Sequence, residues 1–259
     1  MRIGVKPGQW GWSFAELEAS WQAAEEAGFD LVSCFDHVTA QPAGHAASWD
    51  APSLLCAMAG RTERIRLAVD VLNVALRNPF LLAAQLAVAQ AASGGRLEVG
   101  LGAGSYHLAR FDHEALAIPF PSYAERLARL EACCRVFPAL WRGEEVTEPA
   151  LGLTRASLGA IGIDPPPIVV GSSGGRAREV AARWADGWLT VVSAPGEFAD
   201  LARGLPDGLS RRAQVFVRDV EPGPDLVAGF EEAGADTLTF VLTDDRGSDA
   251  VRRLADAVL

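Results

Sequence analysis

The stretch AEEAGFDLVSCFDHV (residues 24–38) contains the end of a helix, a buried strand and two polar residues directly after that strand. Gly28 is typical of a helix C-terminus, because glycine adopts the left-handed conformation there at little cost. Residues 30–35 form a nearly continuous apolar run, which is typical of a parallel strand that helices cover on both faces. A helix followed by such a strand predicts an α/β fold.

The same alternation of short apolar runs and longer amphipathic segments continues on both sides of this stretch. The predicted strands are residues 2–6, 30–35, 65–69, 96–100, 168–170, 187–192, 213–217 and 237–242. The predicted helices are residues 14–28, 51–62, 79–92, 123–141, 176–184, 195–203, 224–233 and 249–259. Residues between the fourth strand and Ser122 are predicted to form a long loop. Residues 143–167, rich in Gly and Pro, are predicted to form a loop or a small hairpin in place of a longer insertion.

Eight βα units predict a (β/α)₈ TIM barrel, and residues 1–259 are expected to form one domain. No G-x-G-x-x-G motif follows the first strand, which disfavours a doubly wound, dinucleotide-binding sheet.

Composition and charge disfavour several classes of partner. The net charge of −10 argues against nucleic acid and anionic membranes. No apolar run reaches the length of a membrane span, and the first residues do not resemble a secretion signal, so a cytoplasmic protein is expected. The four cysteines form no C-x-x-C pair and only four histidines are present, so no metal site is predicted.

Catalytic groups of a barrel lie at the C-terminal ends of its strands. Asp36 and His37 follow the second strand, and a histidine next to a carboxylate is a candidate acid or base near neutral pH. The alternative is a capping aspartate and a surface histidine. Asp70 and Asn73 follow the third strand.

Two glycine-rich loops and several aromatic residues occupy other strand ends. The loop Gly171-Ser172-Ser173-Gly174-Gly175 opens a helix, so its N–H groups and the nearby Arg176 and Arg178 predict a phosphate site. The alternative is an ordinary turn capped by Ser173. A second loop, GLGAGSYH (100–107), contains small residues that would let a planar ligand approach the backbone. The predicted substrate pocket comprises Trp10, Trp49, Tyr106 and His107; the alternative is packing beneath loops.

Five stretches, in order over roughly residues 15–190, resemble the bacterial luciferase-like superfamily of barrel oxidoreductases. They are AEEAGFDLVSCFDHV (24–38), RTERIRLAVDVLNVALRNPFLLAAQLA (61–87), SGGRLEVGLGAG (93–104), ALAIPFPSYAERLARLEACCRVFPALW (115–141) and PPIVVGSSGGRAREVAARWADGWL (166–189). The resemblance implies that FMN or the deazaflavin coenzyme F420 binds in the mouth of the barrel.

The resemblance also implies roles for individual residues. Asp36 and His37 match an Asp-His pair beside the deazaflavin ring, and Asp36 is expected either to orient His37 or to contact the cofactor. Asp70-Val71 matches a cis non-prolyl peptide behind the ring. The other cofactor-binding residues are expected to be Asn73, Ala103, Gly104, Gly171, Ser172, Ser173, Gly174 and Gly175. Asp70 replaces a small residue of the family, and its charge is expected to disfavour an anionic ring.

The resemblance favours hydride transfer between F420 and a small organic substrate. Two alternatives are an FMN-dependent monooxygenase, which uses reduced flavin and oxygen, and a cofactor-binding homologue without turnover. A separate reductase is an expected partner that would supply the reduced cofactor. The protein is also expected to form a homodimer, with an interface at the apolar helices around residues 54–58 and 80–86.

Overall fold

The computed structural model describes residues 1–39, 48–104 and 106–259, and the side chains of residues 106–108 are not described. The strands, in chain order, are β1 (Arg2–Pro7), β2 (Leu31–Cys34), β3 (Arg66–Asn73), β4 (Leu97–Gly102), β5 (Val146–Glu148), β6 (Leu153–Ala156), β7 (Ile168–Gly171), β8 (Gly187–Val191), β9 (Ser210–Phe216) and β10 (Thr237–Leu242). Eight of them close a parallel barrel in the order β1-β2-β3-β4-β7-β8-β9-β10, and β10 pairs with β1. The predicted (β/α)₈ barrel is confirmed.

The helices are α1 (Phe14–Ala27), α2 (Ala51–Arg61), α3 (Pro79–Ala92), α4 (Tyr106–Ala115), α5 (Tyr123–Trp141), α6 (Gly175–Trp184), α7 (Pro195–Ala202), α8 (Pro224–Glu232) and α9 (Gly247–Val258). Capping boxes of Ser13 with Glu16 and of Ser122 with Glu125 begin α1 and α5. Gly28 ends α1 with φ 96°, the left-handed conformation expected of it. Among the described residues, no helix combines the length and the hydropathy needed to cross a bilayer.

Two parts of the chain differ from the prediction. Helix α4 lies in the segment that was predicted as a loop. Half of its ten residues (Tyr, Phe, Asp and two His) are weak helix formers, so the sequence did not indicate a helix there. Strand β3 continues to Asn73, beyond the predicted end at residue 69, and its register with β4 shifts between Val69 and Leu72. The segment 143–167 takes the hairpin alternative, since β5 and β6 pair antiparallel around a 3₁₀ turn.

The lower half of the barrel interior contains a buried carboxylate that binds three arginines. Glu98 of β4 accepts a hydrogen bond from Arg2 at 2.8 Å and forms ion pairs with Arg66 and Arg212. Burial opposes ionisation of Glu98, but Arg212 and the other two guanidinium groups hold its pKa at about 2. This cluster lies below the open end of the barrel and leaves an excess of positive charge there.

Candidate active site

A cavity of about 550 Å³ opens at the carboxyl ends of the barrel strands. The predicted site residues that line it are Asp36, His37, Asp70, Val71, Asn73, Ala103, Gly104, Gly171, Ser172, Ser173 and Gly174. Gly175 is not among the lining residues and begins α6 beside them. The barrel therefore brings together residues that are up to 138 positions apart in the chain, from Asp36 to Gly174.

Asp36 is buried in the wall of the cavity, and both of its oxygens have partners. Arg77 donates to Oδ1 at 2.7 Å and to Oδ2 at 2.8 Å, and the backbone N–H of Asn73 donates to Oδ2 at 2.8 Å. Arg77 also binds Asp50 at 2.7 Å. The expectation that Asp36 orients His37 is wrong, because its carboxylate binds Arg77 and the N–H of Asn73, while Nδ1 of His37 pairs with Asp112.

His37 is oriented instead by Asp112 of α4. Nδ1 of His37 lies 2.7 Å from Oδ2 of Asp112, while Oδ1 accepts from the N–H groups of Val38 at 2.9 Å and Thr39 at 3.0 Å. A carboxylate only accepts hydrogen bonds, so Nδ1 carries the hydrogen and Nε2 of the neutral ring is left as the acceptor. His37 lines the cavity, and in the described part of the chain Nε2 has no partner. Nε2 is the ring nitrogen that can exchange a proton with a ligand.

The predicted substrate pocket is not formed by the two tryptophans. Trp10 stacks on Phe35 with a centroid distance of 5.1 Å and lies 5.2 Å from the ring of His37. Trp49 contacts Phe14 and donates to the carbonyl of Trp12 at 2.9 Å. Neither lines the cavity, so both take the packing alternative, and Trp10 supports the cavity wall from behind. The side chains of the other two predicted pocket residues, Tyr106 and His107, lie outside the described residues.

The peptide bond between Asp70 and Val71 is cis, as the family resemblance implied. The side chain of Val71 fits against glycines of two neighbouring strands. A Cβ added to Gly102 would lie 2.5 Å from Cγ2 of Val71, and one added to Gly171 would lie 2.7 Å from Cγ1. Because no side chain fits at either position, β4 and β7 present bare backbone to the cavity beside Val71.

We expect Gly102→Ala to displace Val71 and to weaken the binding of a planar ligand by about tenfold or more, since overpacking typically costs ~1–3 kcal/mol. Fluorescence titration of the variant with F420 and FMN measures this loss. Gly60→Ala is the matched control, because an added Cβ at Gly60 would meet nothing within 4 Å. Equal affinities for both variants and the wild type would contradict the close fit.

Three polar side chains from different strands form the floor of the cavity. Lys6 of β1 is 1% exposed, donates to the carbonyl oxygen of Asp70 and lies 3.9 Å above the ring centroid of Phe35. Gln214 of β9 donates to Oδ2 of Asp70 at 2.9 Å, while Oδ1 of Asp70 has no partner among the described residues. Burial lowers the pKa of Lys6 to about 8 and raises that of Asp70.

The loop predicted to bind phosphate leads into an uncapped helix. The N-cap of α6 is Gly174, and no side chain caps the helix, so the alternative of a Ser173 cap is wrong. The neighbouring serine, Ser172, accepts a hydrogen bond at its Oγ from Nε1 of Trp188 at 3.1 Å. Arg178 donates to the carbonyl of Leu201 at 2.5 Å, whereas Arg176 is exposed and forms no ion pair within residues 1–39, 48–104 and 106–259. The first N–H groups of α6 are therefore available to an anion at the edge of the cavity.

These features fit a flat cofactor that carries a phosphate. Gly102 and Gly171 leave a smooth wall for a planar ring, and Nδ2 of Asn73, buried in that wall, has no hydrogen-bond partner in the part of the chain that the structure describes. A ligand that offers an acceptor would satisfy this donor, whose burial otherwise costs free energy. No group of three or more potential metal ligands lies among the described residues.

The sequence-based prediction of site residues did not include Lys6, Arg77, Asp112 or Gln214. Lys6 and Gln214 belong to the same strands as predicted core residues, and a polar residue within a buried strand is the signal that could have marked them. Arg77 lies in a loop and Asp112 lies in α4, and the partner of each is distant in sequence, so neither residue carries such a signal.

Comparison with known proteins places these features in context. The family model for luciferase-like monooxygenases matches residues 1–237. An F420-dependent glucose-6-phosphate dehydrogenase of Nakamurella multipartita is 33% identical over 218 residues, which are 82% of this chain and 62% of the relative. An F420-dependent hydroxymycolic acid dehydrogenase of Mycobacterium tuberculosis is 31% identical over 217 residues, 77% of this chain and 58% of the relative. The chain thus spans about three fifths of the length of the curated relatives it matches.

The fold is shared with a solved F420-dependent secondary alcohol dehydrogenase, bound to an F420-acetone adduct, at a TM-score of 0.83. The two are 16% identical, and the match covers 99% of this chain and 98% of the other. The F420-dependent tetrahydromethanopterin reductase of Methanopyrus kandleri matches at a TM-score of 0.80 and 15% identity, over 99% and 98% of the two chains. At these identities the likeness establishes the barrel architecture.

Proposed function

Because the chain belongs to the luciferase-like monooxygenase family, we propose that it is an oxidoreductase that transfers hydride between coenzyme F420 and a small organic substrate. The relatives about 30% identical to it are F420-dependent dehydrogenases, which favours F420 over FMN. The observation that carries the proposal is the cavity itself. The His37–Asp112 pair, the wall that Gly102 and Gly171 form beside Val71, and the uncapped N-terminus of α6 all lie at the same mouth of the barrel. The proposal treats residues 1–259 as one barrel domain.

Residues of this chain would hold the cofactor at two places. The backbone of Gly102 and Gly171, with Val71, would support the ring, and the amide of Asn73 would donate to it. The N-terminus of α6 and Arg176 would bind the phosphate. When bound, F420 supplies a deazaflavin ring that accepts or donates a hydride.

His37 would move the proton that accompanies the hydride. When an alcohol is oxidised, the hydride leaves its carbinol carbon and the hydroxyl proton passes to Nε2 of His37; in the reverse direction Nε2–H returns that proton to the carbonyl oxygen. The carboxylate of Asp112 would hold the ring in position and stabilise its positive charge. An alcohol or a carbonyl compound is therefore the proposed substrate class.

Titration of the purified protein with oxidised F420 and with FMN, followed by fluorescence, tests the cofactor. We expect F420 to bind with a Kd well below about 1 mM, a level that corresponds to −4.1 kcal/mol, and more tightly than FMN. Tighter binding of FMN would favour the monooxygenase alternative. Failure of both ligands to bind would overturn the proposed function.

A panel of alcohols, including a secondary alcohol and glucose 6-phosphate, then tests turnover through the change in F420 absorbance. Turnover with any of them supports the proposal. Binding of F420 without hydride exchange across alcohols and the corresponding carbonyl compounds with reduced F420 would favour a cofactor-binding homologue. The same assay, supplemented with an F420-reducing system, identifies whether reduced cofactor must come from a separate reductase.

A homodimer is proposed as the assembly, although the structure changes its expected interface. Leu54, Leu55 and Met58 are buried in the core, so they pack on the barrel. The exposed apolar residues of α3 are Leu81 and Val88, which are 55% and 58% exposed. Light scattering of the wild type and of Leu81→Glu measures whether these residues hold two copies together.

A further inference from the structure

Lys6 is the only lysine among the 259 residues, and the other 22 cationic side chains are all arginines. The arginines are distributed over the chain, whereas the single lysine is buried in the floor of the cavity. An ammonium group differs from a guanidinium group in being compact, in carrying its charge at a point and in being able to lose a proton in a buried site. The lysine therefore supplies a compact charge that can be lost by deprotonation, which an arginine at position 6 would not supply.

The contacts of Lys6 satisfy only part of its bonding capacity. Its Nζ donates one hydrogen bond, to the carbonyl oxygen of the Asp70–Val71 peptide, and lies against the face of Phe35. An ammonium group has three N–H donors, so the cavity side of Nζ is left for a ligand. A role limited to holding the Asp70 carbonyl needs one neutral donor and no charge.

The charges around Lys6 do not cancel. Arg2, Arg66 and Arg212 pair with Glu98 below the cavity, where the side chains of Arg2 and Arg66 are each 34% exposed. The carboxylate beside Lys6 is that of Asp70, and burial raises the pKa of Asp70, so this carboxylate is a weak counter-charge for the buried ammonium. Because a desolvated charge is costly without a full counter-charge, the Lys6 ammonium favours an anionic ligand in the cavity directly above this floor.

We propose that the Lys6 ammonium is the counter-charge for the anionic ring of bound F420, and that it selects the cofactor in the charged forms of its deazaflavin. This inference rests on the proposed function and adds the residue that recognises the ring. The family's small residue is replaced here by a carboxylate that lies beside Lys6; Gln214 donates to its Oδ2, and its Oδ1 has no partner within the described part of the chain.

The inference requires opposite effects of pH on binding and on stability. The titratable groups on the strands around Lys6 are Cys34 on β2, Asp70 on β3, Glu98 on β4 and Arg212 on β9. Burial lowers the pKa of Lys6 from 10.5 to about 8. F420 affinity should therefore fall as the pH rises through about 8, where the ammonium is lost. For the cofactor-free protein, the contribution of Lys6 to the free energy of unfolding should rise as the pH increases from about 8 to 10.5. In this range the unfolded chain binds more protons than the native chain.

Since the chain has one lysine, growth on lysine labelled with ¹⁵N at Nζ or ¹³C at Cε gives one side-chain NMR signal. We expect that signal to shift when F420 saturates the protein, and its titration midpoint to rise by about one unit or more, because a nearby negative charge favours the ammonium. An unchanged signal and midpoint, at F420 concentrations where fluorescence shows saturation, would overturn the inference and leave the proposed function intact. If F420 does not bind the wild type at all, both fail.

Variants give a second, independent measurement. Lys6→Met should weaken F420 binding by about 10- to 100-fold, the range expected of a hydrogen bond to a charged group. Thr239→Val on β10, a buried residue that does not line the cavity, is the control and should bind F420 as the wild type does. Thermal unfolding without cofactor reports the structural role separately: Lys6→Met leaves the carbonyl and the carboxylate of Asp70 without their cation and should lower Tm, so F420 affinity is compared at a temperature well below that Tm. An unstable Lys6→Met, with Lys6 NMR unchanged on binding, would show that the lysine only supports the Asp70 carbonyl.

Discussion

Replacing His37 with alanine is expected to lower kcat about 10²- to 10⁴-fold, the contribution of a positioned acid or base. The reason is that Nε2 of His37 is the group able to exchange the substrate hydroxyl proton, while Asp112 fixes Nδ1. Steady-state rates with F420 and an alcohol that the panel identifies measure the loss. The Kd for F420 measured by fluorescence should change little, since the loss concerns proton transfer. An unchanged kcat would remove His37 from the reaction.

Asp112→Asn tests whether His37 depends on its partner. Asparagine can keep an acceptor for the N–H groups of Val38 and Thr39, but it withdraws the negative charge that stabilises a protonated imidazole. The variant should be slower than the wild type, because the charge that stabilises the protonated imidazole is gone. If the two residues act as one unit, the double variant His37→Ala/Asp112→Asn is no slower than His37→Ala alone. Losses that multiply in the double variant would contradict the pairing.

Arg77→Met should destabilise the protein by about 3–5 kcal/mol, the usual cost of leaving one partner of a buried ion pair without its counter-charge. The side chain of Asp36 is fully buried and receives two of its three hydrogen bonds from Arg77. Urea unfolding, with the free energy extrapolated to zero denaturant, measures the change.

Two further variants control this measurement. Arg77→Met with Asp36→Asn should recover part of the lost stability, because the uncompensated charge is gone. Arg142→Met removes an exposed arginine paired with Glu144 and should change the free energy of unfolding by no more than about 1 kcal/mol. If Arg77→Met cost no more than Arg142→Met, the Asp36–Arg77 pair would be a surface-type interaction and the site would lack a rigid wall.

The fold could be predicted because each barrel strand is buried on both faces, so that its apolar run stands out in the sequence. Strand β2 and the glycine that ends α1 were visible in this way. Helix α4 could not be predicted, because its residues have weak helix propensity and its position depends on packing over the barrel mouth. The end of β3 was placed too early because the shift in register after Val69 interrupts the strand pattern.

The candidate site could be predicted as a set of strand ends but not as a set of bonds. Asp36 and His37 are neighbours in sequence, which suggested that one orients the other. They point to different partners, Arg77 and Asp112, and these partners lie 41 and 75 positions away. Which carboxylate reaches which nitrogen depends on the tertiary structure, and no periodicity in a single sequence contains that information.

The close fit of Val71 against Gly102 and Gly171 limits how this protein can be re-engineered. Val71 occupies the space that a side chain at Gly102 or Gly171 would need, so random libraries at those positions will contain mostly inactive members. New substrate preference is expected to come from the next two strands of the barrel, where Val191 ends β8 and Phe216 ends β9. A library restricted to these two codons would vary the pocket while the half of the barrel that supports the ring stays constant.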